Sequence, residues 1–153
     1  MSLTEEQHKI RAGRITGSEV PAILGLSPFK TPLECYLELT GKNEKEFHDN
    51  VDTRMGHLME PLIANYAATR LDIDFIKSDR TYIDKTDDFI CGSPDYINSS
   101  GDIGLEVKNV GAHMSWKWGS GADDVPDYVA AQVATYAMVT GIRKWMVVAA
   151  FGG

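Results

Sequence analysis

The sequence predicts an α/β (α+β) fold in which a mixed β-sheet is flanked by helices. Helix signals dominate the chain up to about residue 72, and short β-rich runs separated by turn residues follow from Ile73 onward. A further helix pattern and an apolar strand pattern come last. Helices, a β-meander, a helix and a strand, in this order, indicate a mixed sheet with helices packed on it.

Two helices are predicted within the first 41 residues. ITGSEVPAILGL, at residues 15–26, is typical of a short helix capped by Thr16 or Ser18 and ended by a glycine. TPLECYLELTG, at residues 31–41, has a stronger signal, because its threonine, proline and glutamate stand in the order of a capping box. The charged stretch that follows, KNEKEFHDN at residues 42–50, is predicted to be a loop.

A longer helix is predicted over TRMGHLMEPLIANYAATRL, residues 53–71. Pro61 lies within this pattern, so it either begins the main helix or kinks it. The residues predicted to share the buried face are Leu62, Ile63, Tyr66 and Ala67.

The β-rich runs are IDFIKS, RTYIDK, DFICGSPDYI and IGLEVKNV, and NSSGD between the last two is predicted to be a hairpin loop. PDYVAAQVATYAMVTG, at residues 126–141, predicts a helix with proline near its start and glycine after its end. RKWMVVAAF, at residues 143–151, predicts a buried strand.

Composition narrows the function classes. Of the 153 residues, 43% are hydrophobic and 24% charged, no apolar run could span a membrane, and MSLTEEQHKIRAGR has no hydrophobic core like that of a secretion signal. The net charge of −7 argues against bulk affinity for nucleic acid, although HKIRAGR, at residues 8–14, offers a local basic patch. Cys35 and Cys91 are far apart and outside any zinc pattern, which suits a reducing cytoplasm.

The strand pattern LEVKNV contains the most informative residues of the chain. Glu106 and Lys108 are two positions apart, so both side chains leave the strand on the same face, opposite Leu105 and Val107. One interpretation is an exposed ion pair of little energetic value. The other is a metal-binding carboxylate next to a lysine that orients a water molecule.

Asp95, in GSPDYI, favours the second interpretation. Pairing of the two strands of the predicted hairpin can bring Asp95 next to Glu106. Two carboxylates side by side repel each other, and a divalent cation would remove that cost. Hard oxygen ligands favour Mg²⁺ or Mn²⁺, and Lys108 could then orient the nucleophile or stabilise charge on a phosphate.

Several segments, in the same order along the chain, resemble the lambda-exonuclease/YqaJ-type viral recombinase family of the PD-(D/E)xK nuclease superfamily. They are RMGHLMEP, GSPDYI, LEVKNV, VPDYVAAQVATYAMVTG and the N-terminal block KIRAGRITGSEVPAILGLSPFKTPLECYLELTG. The likeness extends from about Lys9 to Phe151. It implies a restriction-endonuclease-like core.

The resemblance also implies roles for individual residues. The metal ligands would be Glu60, Asp95, Glu106 and the carbonyl of Val107, while Lys108 would position or activate the attacking water. Gln132 and Tyr136 would brace the site or touch the DNA backbone; helix packing is the alternative. Arg11 and Ser18 would hold a DNA 5′-phosphate; a surface cation and a helix cap are the alternatives.

The function implied by the resemblance is that of a Mg²⁺- or Mn²⁺-dependent exonuclease of a phage or prophage, in the cytoplasm of a bacterial host. It would digest one strand of duplex DNA from a 5′ end and supply a single-strand annealing protein in recombination. The family also forms trimeric rings. The alternatives are a structure-specific endonuclease on the same core and a non-catalytic module that binds DNA ends.

Two positions depart from the family pattern. Tyr96 follows Asp95 where the family usually has glycine, so the turn there is expected to differ. Residues 1–153 are predicted to form one nuclease domain that stops just after a strand, at VVAAFGG, where the family usually continues with another strand and helices. A truncated or divergent member is expected to show this pattern.

Overall fold

The structure is a computed structural model that describes residues 4–43, 51–121 and 123–152. The predicted loop at residues 42–50 therefore lies outside the described residues from position 44 onward. The elements in chain order are α1 (Glu5–Arg11), β1 (Ile15–Thr16), α2 (Val20–Ile23), α3 (Pro32–Leu39), α4 (Val51–Leu71), β2 (Phe75–Lys77), β3 (Tyr82–Ile83), β4 (Ile90–Gly92), β5 (Tyr96–Asn98), β6 (Ile103–Val110), a 3-10 helix (Ala112–Lys117), α5 (Asp127–Thr140) and β7 (Lys144–Phe151).

The strands form two mixed sheets. In the larger sheet, of order β2-β5-β6-β7, the first three strands are antiparallel and β7 runs parallel to β6. The smaller sheet, of order β1-β4-β3, contains one parallel and one antiparallel pair. The predicted fold class is confirmed, with the difference that the short strands divide between two sheets.

Strand β6 is central to the larger sheet because its side chains alternate as the sequence predicts. Leu105 is fully buried and packs with Tyr96 of β5 and with Ala64 and Ala67 of α4. Val107 extends the same apolar face. Glu106 and Lys108 leave the strand on the opposite face, which α5 covers with Gln132.

Helix α4 presents a different face to the sheet from the predicted one. Ile63 and Ala67 are buried as predicted, but Leu62 and Tyr66 are 63% and 66% exposed. The third buried position is Ala64, because the helix packs on the sheet through small alanine side chains. The helix also continues through Pro61 from ten residues earlier, so Pro61 does not begin it.

The capping predictions have opposite outcomes. The capping box of α3 is confirmed: Thr31 Oγ1 accepts the N–H of Glu34 at 3.3 Å, and Glu34 Oε2 accepts the N–H of Thr31 at 2.7 Å. The predicted cap of α2 is wrong. Thr16 belongs to β1, Ser18 is hydrogen-bonded to Thr16, and the N-cap residue is Glu19, which has no side-chain capping bond.

Three short elements are absent from the sequence prediction, namely α1, β1 and the 3-10 helix Ala112–Lys117. The hairpin loop at NSSGD is confirmed, because the Asn98 side chain accepts the N–H groups of Asp102 and Ile103 at 3.0 and 2.9 Å. No helix among the described residues is long and apolar enough to cross a membrane.

Candidate active site

Strands β5 and β6 separate at the point where the candidate site begins. Their ladder ends at the pair Tyr96–Leu105, and the same register places Asp95 opposite Glu106. The strands do not continue pairing there. Asp95 Oδ2 instead accepts the N–H of Val107 at 2.9 Å, so the two carboxyl groups lie at the opening between the strands.

A cavity of about 270 Å³ lies at this opening. It contains the predicted acid–base residues from α4, from β6 and from the position just before β5, together with the predicted glutamine from α5. The lining residues are Thr53, Gly56, His57, Glu60, Asp95, Glu106, Val107, Lys108, Asn109 and Gln132.

The Glu106 carboxylate is 2% exposed, so the interpretation as a solvent-exposed ion pair is wrong. Its Oε1 atom accepts from Lys108 Nζ at 2.6 Å and from Gln132 Nε2 at 2.8 Å. Its Oε2 atom is buried and has no hydrogen-bond partner among the described residues. A buried carboxylate oxygen without a donor is costly, and a ligand or cation would satisfy it.

The Gln132 amide connects the lysine, the glutamate and Tyr136. Gln132 Oε1 accepts from Lys108 Nζ at 2.9 Å, and Gln132 Nε2 also donates to the Tyr136 hydroxyl at 2.7 Å. Tyr136 is buried, and its ring packs on Trp145 with centroids 5.6 Å apart. Burial, followed by the charge of Glu106, raises the pKa of Tyr136 well above its ordinary value, so the hydroxyl stays neutral.

The environment of Asp95 disfavours a negative charge. Burial of the carboxyl raises the pKa of Asp95 well above its ordinary value, and the neighbouring charge of Glu106 adds to the increase. The hydrogen bond from Val107 opposes this shift only in part. Two carboxyl groups this close therefore need a proton or a cation between them.

Glu60 lines the cavity but is held by a neighbour. Its Oε1 atom forms an ion pair with Lys77 of β2, and the Tyr96 hydroxyl is hydrogen-bonded to it. Burial raises the pKa of Glu60, but the hydrogen bond and charge of Lys77 outweigh burial and the net shift is downward. Within the described part of the chain, no three His, Cys, Asp or Glu side chains are grouped to hold a metal ion as they stand.

Tyr96 explains how the domain accommodates its departure from the family pattern. It is buried in the core at the start of β5, opposite Lys77 in the strand register, and the Lys77 ammonium lies 5.5 Å from its ring centroid. Burial, with the charge of Glu60 next, raises the pKa of Tyr96 to about 12. Sequence reasoning missed Lys77, because a lysine at the end of a β-rich run gives no signal of its partner.

The two residues predicted to hold a DNA end, Arg11 and Ser18, are not among the described residues that line the cavity. Arg11 Nη1 donates to Ser93 Oγ at 3.3 Å, and Ser93 Oγ is 2.8 Å from Thr81 Oγ1. Strands β1 and β4 are parallel and pair Thr16 with Cys91. The same register, continued by two residues, would place Ser18 opposite Ser93. Sequence reasoning did not name Ser93 as the partner of Arg11, although it stands two positions before Asp95 in the motif GSPD.

A model of the YqaJ-like viral recombinase domain matches residues 6–143 of the chain. The match includes every residue of the cavity described above. The chain belongs to this family. The resemblance identified from the sequence segments is confirmed, and no curated protein matches this YqaJ-like domain in sequence.

Solved structures share the fold of the YqaJ-like domain. An alkaline exonuclease (LHK-Exo) from Laribacter hongkongensis aligns with a TM-score of 0.73 and 17% identity, over 97% of this chain and 74% of that one. The same enzyme in complex with dAMP gives 0.72 and 18%, over 95% and 73%. A phage-related exonuclease from Haemophilus somnus 129PT gives 0.61 and 16%, over 90% and 68%.

Three further aromatic side chains of the YqaJ-like domain differ in their exposure. His57 is exposed and lines the cavity. Trp116 is 76% exposed on the 3-10 helix. Trp118 is half-buried and packs edge-on against Phe151 with centroids 5.6 Å apart, which fits a structural role.

Proposed function

We propose that the chain is a metal-dependent exodeoxyribonuclease that digests one strand of linear duplex DNA from a 5′ end during recombination. The observation that carries this proposal is the buried Glu106 carboxylate, next to Asp95 and bonded to Lys108. An acid pair with a lysine at the rim of one cavity suits the hydrolysis of a phosphodiester.

Two carboxyl groups of the cavity support the proposal of a divalent cation. Glu106 Oε2 is a buried acceptor without a donor among the described residues, and Asp95 lies close enough to feel the charge of Glu106. Asp95 and Glu106 would hold Mg²⁺ or Mn²⁺, with the carbonyl of Val107 and, after release from Lys77, the carboxylate of Glu60. When bound, the ion would supply positive charge next to the phosphate and acidify a water molecule.

Lys108 is positioned by its hydrogen bonds to act on the attacking water. Its ammonium is fixed by Glu106 and Gln132 at 2.6 and 2.9 Å, and its side chain is only 24% exposed. One N–H remains to orient the attacking water or to stabilise negative charge on the phosphate. Gln132 and Tyr136 would keep this geometry by fixing the position of the lysine and the glutamate.

Arg11, Ser93 and Ser18 support an exonuclease over an endonuclease. A terminal phosphate is a dianion, whereas an internal phosphodiester carries one negative charge. The Arg11 guanidinium, which donates to the Ser93 hydroxyl, gains more from the dianion. We therefore propose that these residues bind the 5′-phosphate, and that the cut strand supplies single-stranded DNA to an annealing protein in the cytoplasm of the bacterial host of a phage or prophage.

The test is incubation of end-labelled linear and closed-circular duplex DNA with and without Mg²⁺ or Mn²⁺. Linear DNA should be degraded only with metal, faster with a 5′-phosphate than with a 5′-hydroxyl, and circles should resist. Arg11→Ala should erase the preference for phosphate while retaining metal-dependent cleavage. Rapid nicking of circles, with equal rates on both ends, would favour the endonuclease alternative.

The same test distinguishes the proposed nuclease from the non-catalytic alternative. A module that only binds DNA ends would retain linear duplex in a mobility-shift assay and would degrade none of it with either metal. The intact set of Glu60, Asp95, Glu106 and Lys108 argues against that outcome. Chemical cross-linking would test, independently of cleavage, whether this chain forms the trimeric ring that the resemblance implies.

A further inference from the structure

A second and larger cavity adjoins the candidate active site. It has a volume of about 720 Å³, within the range of about 300–1,000 Å³ that is common for small-ligand sites. We call it the Phe29 cavity; its main lining residues are Phe29, Met55, Asn109, His113, Met114 and Tyr128. Lys108 also lines it, and none of the described residues lining it is acidic, although the chain has a net charge of −7.

The Phe29 cavity is continuous with the candidate active site. Lys108 and Asn109 line both cavities. Tyr128 stands one helical turn before Gln132 on α5, so the two side chains share a face of that helix. If the phosphate of a nucleotide contacts Lys108, its sugar or base can therefore reach the Phe29 cavity.

The aromatic groups of this cavity form a rigid apolar surface. The rings of Phe29 and Tyr128 meet edge to face with centroids 5.8 Å apart. Phe29 is 73% exposed, so most of its surface is available for contact with a ligand. The loop that carries it is held by a hydrogen bond from the Phe29 N–H to Ser27 Oγ at 3.1 Å and by the ion pair of Lys30 with Glu38.

Asn109 adds a polar group to this apolar surface. Its Oδ1 atom is buried and has no hydrogen-bond partner among the described residues. A buried acceptor without a donor is costly, and a ligand that brings an N–H group would satisfy it. An amide next to aromatic rings is the usual combination by which proteins bind a nucleobase, through stacking and through hydrogen bonds to its edge.

We propose that the Phe29 cavity binds an unpaired nucleobase of the strand being cut, in the nucleotide next to the phosphate that is hydrolysed. The proposal rests on the exonuclease function proposed above. Phe29 and Tyr128 contact the face of the base, and Asn109 accepts a hydrogen bond from its edge. The base leaves the duplex to enter the cavity, so base pairing at the end opposes binding and contacts in the cavity favour it.

The experiment uses linear duplexes with a 5′-phosphate in which the first two nucleotides of the cut strand lie opposite mismatched bases, so that no base pair at the end opposes entry into the cavity. In the test substrates, the first or the second of these nucleotides is an abasic tetrahydrofuran analogue. Binding is measured by fluorescence anisotropy in EDTA, and the cleavage rate is measured in single turnovers with Mn²⁺. For the wild type, removal of the base at one of these positions should weaken binding by about fivefold or more, as expected for loss of one base–aromatic stack.

Two variants test whether the Phe29 cavity causes the weaker binding of the abasic substrate. In Phe29→Ala, removal of the base should change binding by less than about twofold, because the contact is already lost. Phe89→Ala is the matched control: Phe89 is also an exposed phenylalanine, 49% accessible, outside the Phe29 cavity. It should keep the full effect of the abasic nucleotide. Equal melting temperatures of the variants and the wild type would exclude misfolding.

The outcomes separate this inference from the proposed function. If the wild type degrades intact linear DNA and binds both abasic substrates as tightly as intact DNA, the proposed base site is wrong. The proposed nuclease function is then unaffected. If Phe29→Ala keeps the full loss on the abasic substrate, the base binds elsewhere and the inference is also wrong. If the wild type degrades no linear DNA with either metal, the proposed function fails.

Discussion

Replacement of Gly104 by alanine tests the packing that supports the candidate site. Gly104 of β6 pairs with Trp145 of β7, and the indole ring lies directly over it. A Cβ atom at position 104 would stand 2.4–2.5 Å from three ring carbons of Trp145. Carbon atoms pack at about 3.5–4.0 Å, so the ring must retreat by roughly 1 Å.

The ring of Trp145 has little freedom to retreat. Its Nε1 donates to the carbonyl of Ile142 at 2.8 Å, and the Tyr136 ring lies 5.6 Å away. Overpacking of this kind costs about 1–3 kcal/mol, and removing a glycine from a strand offsets about 0.5–1 kcal/mol. We expect a net loss of about 1–2 kcal/mol, which lowers the melting temperature by about 2–8 °C.

Thermal denaturation followed by circular dichroism measures this change. Gly56→Ala is the matched control, because Gly56 lies inside α4, where an added methyl group would meet no other described atom within 4 Å, and the variant should gain about 0.5–1 kcal/mol. Gly56 also lines the active-site cavity, so this variant should be more stable and cut DNA more slowly. A melting temperature of Gly104→Ala equal to or above that of the wild type would refute the packing argument.

Four other substitutions have defined outcomes. Lys108→Ala should lower the single-turnover cleavage rate by about 100-fold or more, and it should also lower the melting temperature, because it leaves the buried Glu106 carboxylate without its counter-ion; a retained rate would contradict the role of the lysine. Glu106→Gln should weaken Mn²⁺ binding by about tenfold or more in calorimetric titration, and unchanged affinity would count against direct ligation. Lys77→Met should strengthen Mn²⁺ binding in the same titration, because the Lys77 ammonium competes with the metal ion for the Glu60 carboxylate and repels the ion. Weaker binding would mean that Lys77 instead orients Glu60 as a metal ligand. Thr31→Ala removes the α3 cap and should cost about 1 kcal/mol, or about 2–4 °C in melting temperature, and a smaller change would mean that solvent replaces the cap.

Local signals predicted the elements that depend on local chemistry. The alternation in IGLEVKNV gives the bounds of β6 as the structure has them, and α5 begins after Pro126 and ends at Gly141, whose φ is 79°. The proximity of Asp95 and Glu106 was also predictable, because a hairpin of known loop length fixes which residues face each other. These predictions depend only on residues that are neighbours along the chain or that face each other across one hairpin.

Tertiary packing decided the features that the sequence did not predict. Which side of α4 is buried depends on how closely its alanines approach β6, so the larger Leu62 and Tyr66 point outward against their hydrophobicity. The pairing of Lys77 with Glu60 joins two elements whose relative position no local pattern encodes. Strands of two or three residues likewise give no signal of which sheet they join.

The order of the site residues along the chain has a consequence for the cell that makes this protein. Strand β6, which carries Glu106 and Lys108, lies between β5 and β7 in the sheet, and the amide that fixes both side chains comes from α5. A growing chain on the ribosome therefore lacks an ordered site until the residues of β7 have been added and have paired with β6. Chains that have not yet reached β7 are therefore expected to lack the activity proposed above, because α5 and β7 have not yet fixed Glu106 and Lys108 in place.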